Sequence, residues 1–533
     1  MKNKIILPAF GLIGVFSISS RSTDRSLPAD QPQTGADERP NILFILSDDH
    51  TSKAWGVYGG ILSSYVKNDN IRRLAAEGCV LENCFCTNSI SVPSRASIIT
   101  GAYSHRNGVY TLADALPTET DNIALQLRKV GYQTALFGKW HLKMRPAGFD
   151  VYRVLTGQGS YWDPVLKSAD DWLDDGRGQT GVTFKGYSTD VITDLTIDQI
   201  QNRDKNKPFM ICCHYKATHG PWDYPEKMQH LYDGVVFPEP ENLLEFGTEK
   251  SGRTFEGNLL ETQAERWEAA SEAQATGKGG GGYPDLPFSA KGLSKEDTRR
   301  KAYQKLIRDY LRCGATIDEG IGRILQTLDD EGLSRNTIVI YVSDQGFFLG
   351  EHGFFDKRIM YEESLRMPFV IRYPKEIPMG TRNSDMILNT DFAALLADYA
   401  GASAPNLSQG RSFRKNLTGN TPTDWRQDVY YRYWTQNRIR PAHFGIRNHS
   451  HKLIFFYGDR LEMTGSENAP TTPAWEFYDL KTDPYENRNA YKDPAYQDVI
   501  REMKKRLLEI RKSLGDTDAD RPRMQEIMKA YYD

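Results

Sequence analysis

The sequence predicts an α/β fold, in which a mostly parallel β-sheet is wrapped by helices and followed by a smaller α+β domain with an antiparallel sheet. The chain has 533 residues, about two to four times the length of a usual single domain. Apolar runs of strand length alternate with segments of helical periodicity, which is typical of parallel sheets. The composition, 39% hydrophobic and 26% charged, is that of a chain that buries a full core.

The first twenty residues have the layout of a secretory signal peptide. Lys2 and Lys4 precede an apolar run over 5–18, which is too short to span a bilayer. A buried N-terminal helix is the alternative interpretation. Residues 21–38 are polar and indicate an extended leader. We therefore expect an exported protein, periplasmic or secreted, with no membrane span.

Four apolar runs predict buried strands of the main domain, and a polar cluster follows each run. Since ligands of such sheets bind beyond the carboxyl ends of the strands, the four polar clusters are expected to form one site. The main domain is assigned to 39–420. The predicted strands cover 41–46, 134–137, 209–215 and 337–342, and helical periodicity covers 70–77, 122–130 and 301–331.

Composition changes twice along the chain. Residues 243–297 are polar and contain the glycine run 277–282, which predicts an insertion or mobile loop outside the core. A second change near 420 marks the start of a C-terminal subdomain, 421–533. Its predicted elements are strands at 429–434 and 452–457 and an amphipathic helix at 500–514.

Charge and cysteine spacing exclude some classes of function. The formal net charge is −3, so the chain has no global basic field that would collect nucleic acid. The six cysteines lack the paired spacing of a zinc site, and buried thiols explain them better than a disulfide framework. They stand at positions 79, 84, 86, 212, 213 and 313.

Acidic and amide side chains at two predicted strand ends indicate a metal site. Asp48 and Asp49 follow the first strand, and Asp344 and Gln345 follow the last. Three carboxylates and an amide oxygen form an oxygen shell suited to Ca²⁺ or Mg²⁺. The alternative is that these residues are helix caps or turn formers that need no metal.

A short motif then identifies a family resemblance. Ser91-Val-Pro-Ser-Arg95 is followed by Thr100-Gly101, and here the chain resembles the sulfatase family, whose signature is Cys or Ser, any residue, Pro, any residue, Arg, with Thr-Gly later. The resemblance extends from about 40 to 489 and implies an alkaline-phosphatase-like sheet. Further family segments stand in the same order at 138–141, 219–222, 344–346, Lys357 and 477–487.

The resemblance implies a sulfate ester hydrolase with an unusual nucleophile. A sulfate monoester is a weak electrophile that repels anions, so a plain serine is a poor attacking group. In the family this residue is oxidised to formylglycine, and a serine here implies a serine-type radical maturase as partner. By resemblance Asp48, Asp49, Asp344 and Gln345, with Ser91, hold Ca²⁺, or less readily Mg²⁺. The alternative is that Ser91 is an ordinary hydroxyl.

The remaining catalytic roles also come from the resemblance. Arg95 is expected to stabilise the ionised hydrate, and Lys139 and Lys357 to neutralise the sulfate oxygens. His141 is expected to take a proton from the hydrate, and His219 to protonate the leaving sugar oxygen. As alternatives, the three cations could be solvated surface residues.

The substrate expectation is a sulfated glycan. Trp222, Arg358 and His352 are the candidate substrate-binding residues; for His352 a purely structural role is the alternative. Segments including 156–162 and 355–368 resemble the branch of N-acetylglucosamine-6-sulfatases and mucin-desulfating enzymes, which implies a 6-O-sulfated N-acetylhexosamine from mucin or glycosaminoglycan. The alternatives are 2-O, 3-O or 4-O regiospecificity, a phosphatase or phosphonate monoester hydrolase of the same superfamily, and a non-catalytic Ca²⁺-stabilised glycan-binding protein.

Overall fold

The computed structural model describes residues 39–246 and 259–533. The signal peptide and leader expected at 1–20 and 21–38 lie outside the described residues, as does 247–258 of the expected insertion.

Nineteen strands and twelve α-helices form the described part of the chain. None of these described helices has the length and apolar run needed to cross a membrane. The strands are β1 (Asn41–Ser47), β2 (Cys79–Leu81), β3 (Cys84–Phe85), β4 (Gln133–Gly138), β5 (Val151–Leu155), β6 (Val165–Lys167), β7 (Val182–Thr183), β8 (Phe209–His214), β9 (Thr337–Ser343), β10 (Phe348–Leu349), β11 (Phe355–Asp356), β12 (Arg366–Met367), β13 (Phe369–Arg372), β14 (Thr381–Asn383), β15 (Ile387–Leu388), β16 (Asp428–Tyr433), β17 (His443–Asn448), β18 (His451–Phe456) and β19 (Ala474–Asp479). The helices are α1 (Asp69–Ala76), α2 (Ser91–Thr100), α3 (Ser104–Asn107), α4 (Ile123–Lys129), α5 (Ser188–Gln201), α6 (Leu260–Ala275), α7 (Lys295–Asp330), α8 (Glu362–Leu365), α9 (Asp391–Ala400), α10 (Arg414–Leu417), α11 (Gln497–Leu514) and α12 (Pro522–Tyr531).

Ten strands form one large sheet in the spatial order β14-β2-β13-β9-β1-β8-β4-β5-β6-β7. Its centre is parallel: β1 pairs with β8 and β9, and β4 pairs with β5 and β8. Antiparallel pairs, such as β13 with β9 and β5 with β6, lie toward the edges. The expected mostly parallel sheet is therefore confirmed for the centre, and the edges make the sheet mixed.

The strand register brings four carboxyl ends to the same level. Ser47 at the end of β1 lies beside Ser343 at the end of β9. Leu46 of β1 lies beside His214 of β8, which in turn lies beside Gly138 of β4. The polar clusters that follow these strands therefore meet at one edge of the sheet, as expected from the sequence.

Strand β1 shows why helices cover both faces of the sheet. Ile42, Phe44 and Leu46 belong to one hydrophobic cluster, shared with α2, α4 and α9. Leu43 and Ile45 belong to the other, shared with α1, α5, α6 and α7. Because successive residues of a strand face opposite sides, a continuous apolar run is stable only where both sides are covered.

The C-terminal part contains the expected antiparallel sheet, in the order β16-β17-β18-β19. Helix α11 buries Ile500, Met503 and Leu507 in the hydrophobic cluster that also contains residues of β1. The predicted boundary at 420 falls between α10 and β16 and stays a prediction, since the described residues fall in one compact unit.

The prediction of a loop outside the core at 243–297 is wrong in part. Helix α6 lies within it, and Trp267 of this helix is fully buried. The ring of Trp267 packs against Phe288 and Trp222, at centroid distances of 5.3 and 6.3 Å. The segment looked polar because only one stripe of the helix faces the core, while its other faces carry Glu, Gln and Ser.

All six cysteines are buried and free. This confirms the expectation of buried thiols. Burial raises the pKa of the Cys213 thiol to about 11, so this side chain is a neutral packing group.

Candidate active site

Three aspartates meet at the carboxyl edge of the parallel strands. Asp48 and Asp49 follow β1, and Asp344 follows β9. Each offers a carboxylate oxygen, and these three oxygens lie within 4.8 Å of one another in the protein interior. We call these residues the three-aspartate cluster. Like charges buried this close together are costly unless cations neutralise them.

Three basic side chains supply this neutralisation. The Lys139 ammonium, which follows β4, contacts a carboxylate oxygen of Asp48. The Lys357 ammonium, which follows β11, contacts Asp49. Arg95 of α2 donates from Nε to Asp344 at 3.0 Å. The alternative of solvated surface cations is therefore wrong for all three, because each is buried against a carboxylate.

The proximity of opposite charges shifts the ionisation of this cluster. Burial alone would raise the pKa of Asp48, but Lys139, His219 and Arg95 hold it well below its usual range. Burial together with the Asp48 charge raises the pKa of Asp344 to about 7. Asp344 is therefore the carboxyl group of the cluster that loses its proton least readily, and a bound divalent cation would favour its ionised form.

Ser91 is the first residue of α2, and its hydroxyl lies 3.3 Å from a carboxylate oxygen of Asp48. Two neighbours on the same helix anchor this end to the cluster: Arg95 through Asp344, and Ser94 through the Asp344 backbone carbonyl. Because α2 is buried along its whole length, the hydroxyl is held beside the three-aspartate cluster.

Gln345 completes an oxygen-rich donor set. Its Nε2 donates to Asp49, while its buried Oε1 has no hydrogen-bond partner among the described residues. An orphaned buried oxygen beside three carboxylates fits a hard divalent cation such as Ca²⁺ or Mg²⁺ better than it fits a turn former. The residues expected to hold a metal therefore do come together.

Two histidines border the cluster. His219 Nε2 lies 3.8 Å from an oxygen of Asp49, and its Nδ1 is hydrogen-bonded to the Gly220 carbonyl at 2.9 Å. His141 has a left-handed backbone, with φ of 60°, and its Nδ1 has no partner among the described residues. Burial and the Lys139 charge lower the pKa of His219 to about 4 and that of His141 to about 2. Both rings are therefore neutral at pH 7 in the resting protein.

The three expected substrate-binding residues lie in different environments. Arg358 is partly exposed; it pairs with Asp356 at 2.9 Å and donates to the Tyr433 hydroxyl at 3.2 Å. Trp222 is buried and packs against the ring of Trp267 at 6.3 Å. It therefore supports the segment that carries His219.

The expectation that His352 binds substrate is wrong. The side chain is fully buried, with Nδ1 2.7 Å from a carboxylate oxygen of Glu245 and 3.2 Å from Asn242 Nδ2. Its ring also lies 5.3 Å from that of Tyr361. His352 is therefore a core residue, because its side chain is buried and its partners are side chains of the chain itself.

Three residues near the site were not found from the sequence. Gln158 Oε1 accepts from the Lys139 ammonium at 2.5 Å. Lys216 contacts the Gln158 backbone carbonyl, and the Tyr161 hydroxyl donates to the His219 backbone carbonyl at 2.6 Å. Gln158 and Tyr161 belong to the segment 156–162, which was used only as a mark of a family branch.

A sulfatase family model matches residues 40–402, and a model described as N-sulphoglucosamine sulphohydrolase, C-terminal, matches 350–513. The chain belongs to the sulfatase family. It is a sulfuric ester hydrolase with the alkaline-phosphatase-like sulfatase fold, which confirms both expectations drawn from the resemblance.

Individual relatives of this sulfatase refine the comparison. The chain is 38% identical over 522 residues to an N-acetylglucosamine-6-O-sulfatase of Bacteroides thetaiotaomicron, covering 92% of this chain and 89% of the relative. It also resembles a solved structure in complex with its substrate D-glucosamine-2-N,6-O-disulfate, with a TM-score of 0.78 and 36% identity, covering 91% of this chain and all of the other. A phosphonate monoester hydrolase of Silicibacter pomeroyi, at 22% identity and a TM-score of 0.65, covers 90% of this chain and 96% of its own. This last likeness shows the fold alone.

Proposed function

We propose that this sulfatase removes the 6-O-sulfate of N-acetylglucosamine or a related N-acetylhexosamine, and that its substrates are glycans such as mucin or glycosaminoglycans. The observation that carries the chemistry is the buried juxtaposition of Ser91, the three-aspartate cluster and three paired cations. The regiospecificity is supported by the 38% identical relative, whose name specifies 6-O-sulfate of N-acetylglucosamine.

Ser91 is the proposed position of the nucleophile. After oxidation to formylglycine, its hydrate supplies a geminal diol that is a far better attacking group than a serine hydroxyl. Arg95 lies beside Asp48 and Asp344, where its guanidinium stabilises negative charge that develops at position 91. A serine-type radical maturase is the partner this proposal requires.

The three-aspartate cluster, with the Gln345 amide oxygen, is the proposed Ca²⁺ site, and Mg²⁺ is the second candidate. A divalent cation there contributes charge that lowers the pKa of a neighbouring hydroxyl and attracts the anionic ester. In the described residues the three carboxylates already face three cations. A divalent ion bound there would add positive charge to a site that already holds three cations, and a positive site suits a sulfate monoester.

Lys139 and Lys357 are proposed to hold the sulfate oxygens. Lys139 pairs with Asp48 and Lys357 pairs with Asp49, so both ammonium charges lie beside the three-aspartate cluster, where an anionic ester would be attracted to them. The neutral His141 ring has an unpaired Nδ1 and is the proposed acceptor of the second hydrate proton. His219 is the proposed acid; an anionic ester beside the ring favours its protonated form, which can then donate to the departing sugar oxygen.

The proposed sugar-binding edge carries Arg358. Its guanidinium bonds to Asp356 and to Tyr433, and the side chain is 18% exposed. These paired polar groups present donors and acceptors in fixed positions, as sugar hydroxyls require. Trp222 is proposed to contribute indirectly: its packing against Trp267 fixes the backbone segment that carries His219.

The regiospecificity is tested with mono- and disaccharides that carry a single sulfate at the 2, 3, 4 or 6 position. The protein is co-expressed with a serine-type maturase, and mass spectrometry confirms the loss of about two daltons at Ser91 that the oxidation of an alcohol to an aldehyde requires. We expect sulfate release from the 6-O-sulfated N-acetylhexosamine. Release from a 2-O-, 3-O- or 4-O-sulfated sugar in its place would refute the proposed specificity.

Two controls test the alternative functions. Matched phosphate esters test for a phosphatase or phosphonate monoester hydrolase, and protein with unmodified Ser91 tests for a non-catalytic glycan-binding protein. Faster hydrolysis of a phosphate or phosphonate monoester would favour the activity of the phosphonate monoester hydrolase relatives. Equal turnover by protein with unmodified Ser91 would contradict the formylglycine mechanism.

Export to the periplasm or the outside is also proposed, on the signal-like sequence of residues 1–20. N-terminal sequencing of the protein recovered from a periplasmic fraction is the test. An uncleaved N-terminus in the cytoplasmic fraction would contradict it.

A further inference from the structure

The segment 156–162 reaches the candidate active site through Gln158. The Lys139 ammonium contacts Asp48 on one side and Gln158 Oε1, at 2.5 Å, on the other. An ammonium group only donates hydrogen bonds, so the amide oxygen of Gln158 must face it. The contact therefore fixes the direction of the amide and leaves its Nε2 turned away from Lys139.

Gln158 separates a buried charge from the solvent. Lys139 is fully buried, whereas Gln158 is exposed and lines an open groove of about 710 Å³. Lys167 and Gln179 line the same groove. Gln158 is therefore the side chain of this segment that joins the groove to the cation paired with Asp48.

A buried cation supports this segment from below. Lys216 is 2% exposed, donates to the Gln158 backbone carbonyl at 3.2 Å, and lies 4.9 Å from the Tyr161 ring centroid. Among the described residues, no carboxylate oxygen lies within 4.0 Å of the Lys216 ammonium, so Lys216 forms no ion pair there. Burying a charge without a counterion is costly. The contact between Lys216 and segment 156–162 is therefore kept despite the free-energy cost of burying the Lys216 charge.

Tyr161 links segment 156–162 to His219, the proposed catalytic acid. Its hydroxyl donates to the backbone carbonyl of His219 at 2.6 Å. One short segment thus holds the side chain of Lys139, through Gln158, and the backbone of His219, through Tyr161. These two residues follow different strands, β4 and β8, and both border the three-aspartate cluster.

We propose that Gln158 is a positioning residue for Lys139, and that Lys216 and Tyr161 hold the segment that carries it. The inference rests on the proposed function, in which Lys139 binds the sulfate group. Without Gln158, the ammonium keeps Asp48 as its side-chain partner and turns toward it. Fewer of its N–H groups are then directed at a sulfate oxygen, so binding and turnover of the ester both weaken.

A double-mutant cycle on matured enzyme tests this coupling. We expect Gln158→Ala to lower kcat/KM about tenfold, and to cost less than about threefold when Lys139 is already alanine. Gln179→Ala is the matched control, because it lines the same groove without a contact to Lys139, and it is expected to stay near the wild type. Equal losses in both backgrounds, or no loss in Gln158→Ala, would overturn the proposal.

Two further measurements separate positioning from folding and from the proposed function. The first is sulfate binding, measured on protein with unmodified Ser91 so that no turnover is required. Excess inorganic sulfate is expected to raise the Tm of Gln158→Ala less than that of Gln179→Ala, and equal rises would overturn the proposal. Lys216→Met, which keeps the side-chain volume, is expected to lower kcat/KM in the same direction as Gln158→Ala, and an unchanged value would remove Lys216 from the proposal. An inactive matured wild type would refute the proposed function itself, which no result on the variants can do.

Discussion

Replacing Trp267 tests whether helix α6 belongs to the core. The side chain is fully buried, and its ring packs against Phe288 at 5.3 Å, Trp222 at 6.3 Å and Tyr283 at 6.4 Å. Truncating a buried tryptophan to alanine removes its apolar area from the core and leaves a cavity that the surroundings fill only in part. We expect Trp267→Ala to lower the free energy of unfolding by about 3–5 kcal/mol.

The phenylalanine variant gives a smaller, graded effect. Trp267→Phe keeps an aromatic ring and opens a smaller cavity, at a cost of about 1 kcal/mol. It also removes the indole N–H, which has no hydrogen-bond partner among the described residues and whose burial opposes folding. We therefore expect Trp267→Phe to lie close to the wild type.

Urea denaturation followed by far-UV circular dichroism measures both variants. Glu265→Ala is the control, since Glu265 is an exposed residue of the same helix, and surface substitutions of this kind change stability by about 0.5 kcal/mol or less. If Trp267→Ala lost under about 1 kcal/mol, or no more than the control, α6 would be a peripheral element and the reasoning on its burial would fail.

The active site and the C-terminal part give three more expectations. His219→Gln is expected to lower kcat about 10²- to 10⁴-fold on alkyl sulfate esters. The loss is expected to be much smaller on an aryl sulfate, because its leaving group needs no proton. Equal losses of sulfate release on the two substrates would exclude the acid role. Chelation of divalent ions is expected to lower Tm and turnover, with recovery on adding Ca²⁺, because a bound ion stabilises only the folded state; unchanged values would argue against a metal. Burial alone would raise the pKa of Asp516, but Arg432 at 2.8 Å, with Arg511, lowers it to about 2. Because this folded-state pKa lies below the unfolded value, the carboxylate stabilises the fold above about pH 4, and about 2 kcal/mol is lost as pH falls toward 2. Urea unfolding of wild type and Asp516→Asn between these pH values measures the difference, and parallel curves would contradict it.

The parts of the site that the sequence predicts are those fixed by strand ends. Asp48, Lys139 and Asp344 each follow an apolar run, and parallel strands in register bring such positions together whatever their distance along the chain. The signature around Ser91 then identified the family. Edge pairing was not predictable in the same way, because short strands such as β13 run antiparallel to a long neighbour without any difference in composition.

Other features depend on contacts that leave no local pattern. His352 was a candidate for substrate binding, yet its side chain is buried beside Glu245 and the ring of Tyr361. The core position of Trp267 was hidden by the charged faces of its helix. Gln158 lies in a glycine-containing loop, and which way such a side chain points is set by the distant Lys139 and not by neighbours in sequence.

The burial of Ser91 places a limit on when this residue can be modified. Its side chain is 1% exposed, and Arg95 in the same helix is held by Asp344, which lies 249 positions later in the chain. At typical synthesis rates the interval between the emergence of these two residues is roughly 10 to 50 s. For the formylglycine proposed at Ser91, a maturase would therefore have to reach this residue in an incompletely folded chain, and the rate of folding would compete with the rate of maturation in setting the fraction of active molecules.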